Sequence, residues 1–222
     1  MKKEAKIDRT NVTTRELIMQ KTLEIVNDRG MADFRVDLLS STLGLSPGNI
    51  TYHFAKKEDL CRAIWVEFYV ELKGVEVLVS NLLDVKQSFL VVRSITALIY
   101  KYRGVILYRG SDMVVLYRDD NSEYSIAEKL REIIRVILFH LNENGYISQE
   151  KNTPIINKIV MDDMFVNMRF WINKEYLMSD SNKYSSISSR VVENSIEILY
   201  LLYPLLNERG RAEFDILCDK ML

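Results

Sequence analysis

The sequence predicts an all-α protein, and three observations carry that expectation. Glycine and proline are scarce, eight and three in 222 residues, where a β-sandwich or barrel would draw on both for its tight turns. Apolar residues recur at intervals of three, four and seven, the period of one helix face. These stretches are bounded by residues that start or stop helices.

The first helix starts at Thr13, where TTRE forms a capping box with Glu16 three residues after the threonine. Ile18, Met19, Leu23, Ile25 and Val26 make its apolar stripe, and Gly30 offers the left-handed conformation that ends a helix. A short second helix fits Val36 to Leu43 and stops at Gly44. Ser46 is a good N-cap, and Pro47 falls at the first helical position, where its missing N–H costs nothing. That third helix runs to about Phe54. Beyond a Lys56–Lys57 linker, a longer helix carries Leu60, Ile64, Phe68 and Leu72 on one face.

Punctuation is weaker past residue 80. Helical segments fit residues 84–103 and 105–117, the second interrupted by Gly110, with a polar connection at 119–123. The next helix shows Leu130, Ile134, Ile137 and Leu141 at core spacing and ends at the NENG turn of 142–145. A helix from Pro154 to about Tyr176 carries Val160, Met164, Met168 and Trp171. After a Ser/Asp/Asn-rich loop, another runs from Ser186 to about Leu206 with Val192, Ile196, Leu199 and Tyr203 in one stripe, widened by Val191, Ile198 and Leu202. A tail helix follows Pro204 and Gly210. No repeat or low-complexity tract interrupts the chain.

Composition excludes several classes. Two cysteines and two histidines leave no disulfide framework and no metal module. GxSxG, P-loop, GxGxxG and HExxH patterns are missing, and the adjacent pairs Asp119–Asp120 and Asp162–Asp163 point to different helix faces. The expectation is therefore a non-enzyme without a cofactor. Lacking a signal peptide or an apolar run of about 20 residues, the chain is expected to be cytoplasmic. Its net charge of −1 divides unevenly: residues 1–57 hold ten Lys/Arg against seven Asp/Glu, and the remainder 20 against 24. A basic end on an acidic body suits contact with a polyanion, although so small an excess also fits chance.

Residues 36–54, VDLLSSTLGLSPGNITYHF, read as helix, glycine turn, helix. In a helix-turn-helix the second helix lies in the DNA major groove. Ser46, Pro47 and Gly48 would turn free backbone N–H groups toward phosphate. Asn49, Thr51, Tyr52 and His53 supply polar side chains, with Arg35, Lys56 and Lys57 at the margins and Lys2, Lys3 and Lys6 on an arm. His53 serves equally well as a packing partner of Phe54, and His140 reads as an ordinary half-buried histidine.

Residues 14–65, from TRELIMQKTLEIVNDRG through LGLSPGNITYHFAKKEDL, resemble the tetracycline-repressor (TetR) family of transcriptional regulators. The resemblance rests on the glycine-ended first helix, the helix-turn-helix, the aromatic/histidine cluster and the Lys57–Glu58–Asp59–Leu60 start of the fourth helix. Two positions depart from the family pattern. Thr51 stands where a DNA-touching tyrosine is usual, and Arg35 where a small hydroxyl residue caps the second helix. The resemblance implies a homodimer on a palindromic operator, with repression relieved by a small molecule.

The expected organisation is a DNA-binding domain at residues 1–57 and an effector-binding and dimerisation domain at 58–222. Tyr69, Tyr102, Tyr108, Phe139 and Met164 are candidate walls for an apolar or aromatic effector, and Arg103 and Arg109 could hold an anionic one. The two closing helices, Pro154 to about Tyr176 and Ser186 to about Leu206, are expected to form a four-helix interface with a second copy, with Val192, Ile196, Leu199, Leu202 and Tyr203 as candidate residues, unless the tail helix folds back and covers the surplus. An alternative function is an all-helical ligand-binding or interaction protein that has lost sequence-specific DNA reading.

Overall fold

The computed structural model describes residues 13–79, 84–106, 126–178 and 186–221, with side chains of 174–178 left aside. Within these residues are ten helices and no strand: α1 (Thr14–Arg29), α2 (Val36–Leu43), α3 (Pro47–His53), α4 (Lys57–Val79), α5 (Val85–Lys101), α6 (Arg103–Ile106), α7 (Ile126–Glu143), α8 (Pro154–Met178), α9 (Ile187–Tyr200) and α10 (Glu208–Met221). They group into two compact units, one within Met1–Val66 and Gly104–Leu116, the other within Glu67–Arg103 and Tyr117–Leu222. The all-α expectation holds. Tyr108, Arg109, the arm lysines and residues 107–117 of the expected 105–117 segment lie outside the described residues.

In the first unit, local chemistry sets the helix ends. Thr13 and Glu16 close the capping box, the Glu16 N–H donating to Thr13 Oγ1 at 3.2 Å and the Thr13 N–H to Glu16 Oε2 at 2.8 Å. Those bonds hold the exposed Glu16 carboxyl below the usual carboxylate range. Gly30 and Gly44 end α1 and α2 at φ 81° and 66°, values that a β-carbon disfavours. Ile18, Val26, Leu39, Ile50, Phe54, Leu60 and Ile64 form the core.

Gly104 completes this unit. Its N–H donates to Asn27 Oδ1 at 2.8 Å, and a β-carbon there would lie 2.3 Å from the Val26 carbonyl oxygen. Backbone cannot yield to so close an atom, so Gly104→Ala should destabilise the protein by about 1–3 kcal/mol. A thermal melt checks this, with Gly74→Ala, inside α4 and meeting nothing within 4 Å, as the control that should melt no lower.

The second unit is built on α5, along which α9 makes the most extensive packing of any helix pair, with α10 and α8 also against α5. Asp84 caps α5 by accepting from Gln87 N–H at 2.7 Å. A polar clip ties the α7–α8 turn to the chain after α9. Ile147 bridges Leu206, the Asn207 N–H donates to the Tyr146 carbonyl at 2.9 Å, and Asn207 Nδ2 donates to the Gly145 carbonyl at 2.8 Å.

Three sequence expectations change here. The tail helix starts at Glu208 and includes Gly210, whose missing β-carbon lets the Tyr146 carbonyl approach. The helix α9 stops at Tyr200, and residues 201–205 form turns. The stripe assigned to a dimer partner is covered within the chain: Ile196, Leu199 and Leu202 are buried, Val192 and Tyr203 half-buried. The reason is physical. Helix α9 spends that face on α5, and α10 sets Phe214 5.8 and 5.5 Å from the Tyr200 and Tyr203 rings.

Candidate functional site

Ile50 and Phe54, four residues apart, anchor α3 to the first unit by its inner face. The other face is left to solvent. Asn49 and Thr51 are exposed, Tyr52 is 86% exposed, and half-buried His53 meets the Tyr52 ring edge-on at 5.2 Å. An aromatic side chain that exposed gains nothing for the fold by burial. Ser46 Oγ accepts from the Asn49 N–H at 3.2 Å, capping the helix. The Thr51 hydroxyl donates to the Gly48 carbonyl at 3.1 Å, so toward a partner it offers its lone pairs and methyl. Gly48 has open surroundings, its nearest atom being Ser46 Oγ at 3.9 Å from a virtual β-carbon.

The cations around this face differ. Lys56 and Arg35 are exposed, and Arg35 gives α2 no side-chain cap because it carries no acceptor. Lys57 is half-buried: its Nζ donates to the Met31 carbonyl at 2.5 Å and lies 5.6 Å over the Phe34 ring. Arg15 passed unremarked in the sequence except as a charge. Its guanidinium sits 4.8 Å from the Phe54 ring centroid and donates to Met19 Sδ at 3.3 Å, which sets an exposed cation beside the end of α3. The i, i+4 pairing with Met19 was legible; the contact with Phe54 needed the fold. Lys57→Ala should therefore lower the melting temperature, at a cost of about 1 kcal/mol for the lost bond, the Met31 carbonyl keeping only the Phe34 N–H at 3.3 Å, whereas Lys56→Ala should leave the melt unchanged.

In the second unit the proposed effector residues have different surroundings. Met164 lies on the buried face of α8. Tyr69 is buried with Lys73 Nζ 5.2 Å over its ring. Tyr102 is buried beside Phe68, and its hydroxyl donates to Glu71 Oε1 at 2.6 Å, which also receives Lys101 Nζ at 2.6 Å. Burial, then the bond to Glu71, pushes that phenol far above its ordinary range. Phe139 is 59% exposed on α7 and lines no interior wall of this chain, because the α7 face that packs inward carries Leu130, Ile134, Ile137 and Leu141. Sequence reading missed one arrangement here, the stacking of Tyr100 on Trp171 with centroids 6.0 Å apart.

Among the described residues, no cluster of His, Cys, Asp and Glu could hold a metal ion, and no helix is long and apolar enough to cross a membrane. Burial pushes the Cys61 thiol up to about 11, leaving it inert at neutral pH.

Residues 18–64, the helices just described, match the model of the bacterial regulatory proteins, tetR family. The tetR-type fold extends along the chain. A TetR-family transcriptional regulator from Marinobacter aquaeolei VT8 superposes with a TM-score of 0.76 at 20% identity, over 95% of this chain and 99% of that one. SmeT, the repressor of the Stenotrophomonas maltophilia multidrug efflux pump SmeDEF, gives 0.58 at 13% identity over 88% and 92%. A gamma-butyrolactone receptor (ArpA like protein) gives 0.56 at 16% identity over 93% and 95%. No curated protein matches by sequence.

Proposed function

We propose that this protein is a transcriptional repressor that binds a palindromic operator as a homodimer and releases it when a small molecule occupies its second unit. The observation that carries the reading is the α3 face, where Asn49, Thr51 and Tyr52 are held outward by buried Ile50 and Phe54. A major groove takes a helix in that orientation, and Asn suits a bidentate contact to adenine. Arg15, Arg35, Lys56, Lys57, His53 and the backbone at Ser46–Gly48 serve the phosphates. The first residues to 57 act as the reading head and 58–222 as the effector and dimerisation domain, the whole working in the cytoplasm. Release requires that the effector bind the DNA-incompetent state better, since only differential affinity shifts an equilibrium.

Of the two closing helices expected at the dimer face, α8 is the one that carries it. Ile155, Ile159, Val166 and Phe170 are 73%, 54%, 50% and 36% exposed, and their spacing places them in one stripe within about 60° of arc, from the roughly 100° step per residue. Exposed Lys158, Asp162 and Asp163 border it. An apolar stripe of that length facing solvent invites a second copy.

A gel shift with the DNA flanking the gene tests the whole reading. Retardation that fades steeply with salt supports it, and Lys56→Ala should make the salt slope shallower by about one unit. The rival, a helical binding protein without DNA reading, draws on Thr51, whose hydroxyl proton is already committed to Gly48. No retardation at low salt with any flanking fragment would favour it.

A further inference from the structure

We propose that the second unit binds a flat organic carboxylate at Arg103, Tyr100 and Trp171, a ligand class that rests on the effector-released repressor reading. Tyr100, near the end of α5, stacks on Trp171 of α8 with ring planes 27° apart. The Arg103 guanidinium lies 4.2 Å from the Tyr100 centroid, and its Nη1 donates to the Tyr100 carbonyl at 3.0 Å. That bond fixes the guanidinium and uses one of its five N–H donors. Among the described residues it has no carboxylate partner, although it is half-buried.

Trp171 carries the second observation. It is 3% exposed, and its Nε1–H is buried without an acceptor. Buried N–H groups are nearly always paired, because leaving one unmet forfeits its hydration with no return. A charged fork and a neutral N–H thus lie beside the same aromatic pair, the fork without a carboxylate among the described residues and the N–H without an acceptor. A water could serve the indole but would leave the cation without a counter-ion. A flat acid serves both: its ring lies against the aromatic pair, its carboxylate accepts from Arg103, and an oxygen accepts a hydrogen bond from the indole N–H. A neutral hydrocarbon leaves both donors unmet. Arg103 and Trp171 select the head group.

Calorimetric titration of the full chain with 2-naphthoate and with 2-naphthamide, which share a ring and differ in charge, tests this. The acid should bind at least tenfold more tightly than the amide, and Arg103→Gln should erase that preference. In 15N–1H spectra the indole signal absent from Trp171→Phe should move when 2-naphthoate is added to the unmodified protein. Equal affinity for acid and amide, an unaltered preference in Arg103→Gln, a stationary indole signal, or no binding of the acid at millimolar concentration would each overturn the assignment. Adding 2-naphthoate to the operator complex separates the two ideas. Binding at Arg103 that leaves the operator complex intact supports the ligand class and sinks the effector-release reading.

Discussion

A protein carrying both Ile159→Asp and Val166→Asp should be folded, monomeric and unable to hold its operator. Light scattering should return about the 26.0 kDa of one chain. Both side chains are at least half exposed on α8, so charging them removes no core contact, and surface changes of this kind usually cost little. In a dimer the same positions would be buried. Two carboxylates in each copy would then face one another without partners, which an interface of ordinary strength does not survive. The DNA consequence follows from geometry. One helix-turn-helix reads a few base pairs, and two held about 34–36 Å apart read both half-sites together. Losing the second site forfeits an effective-concentration gain on the order of 10²–10⁴ in affinity. A double variant that stays dimeric with operator affinity intact would place the interface elsewhere. Leu199→Glu makes the contrast, because that side chain is 1% exposed against α5 and charging it should unfold the second unit.

What the sequence made legible was local. Capping by Thr13 and Ser46, the stops at Gly30 and Gly44, and the Leu60–Leu72 stripe each depend on residues within one or two turns, and each forms as expected. Hydrophobic periodicity says that a face is apolar and is silent on what covers it. That is why both closing helices are expected from the sequence to meet a partner chain, whereas α5 and α10 cover the stripe of α9 and α8 leaves one exposed. Glycine misled in the same way. Gly104 and Gly210 read as helix breaks, yet both lie within helices and are glycine because a backbone carbonyl crosses close by. At the candidate interface the polar residues of α3 followed from the helix, glycine turn, helix pattern of residues 36–54. Arg15 and the tether of Lys57 to Met31 did not, since both are contacts across at least 26 residues of chain.

Asn49→Ala and Tyr52→Ala should each weaken operator binding by about 1–3 kcal/mol, roughly five- to 150-fold, with unchanged melting temperature. The unchanged melt follows from exposure. Tyr52 is 86% exposed and touches mainly the edge of His53, and the cap at the head of α3 uses the Asn49 backbone N–H and not its side chain. The two losses should differ in kind. An amide reads a base edge, so Asn49→Ala should lose discrimination, binding operator and mutated operator more equally. Tyr52 offers an apolar ring and one hydroxyl, suited to a thymine methyl or a phosphate, so its loss should fall more evenly on all sequences. Gly48→Ala gives the sharpest separation of fold from function. A β-carbon there meets only Ser46 Oγ at 3.9 Å, and alanine outranks glycine in a helix by about 0.5–1 kcal/mol. The free protein should then be as stable or more so, while the added methyl stands where the backbone of α3 would approach phosphate. Weaker DNA binding from a protein that melts no lower would identify the start of α3 as contact surface. Full operator affinity in Gly48→Ala, Asn49→Ala and Tyr52→Ala together would mean that α3 does not enter the groove.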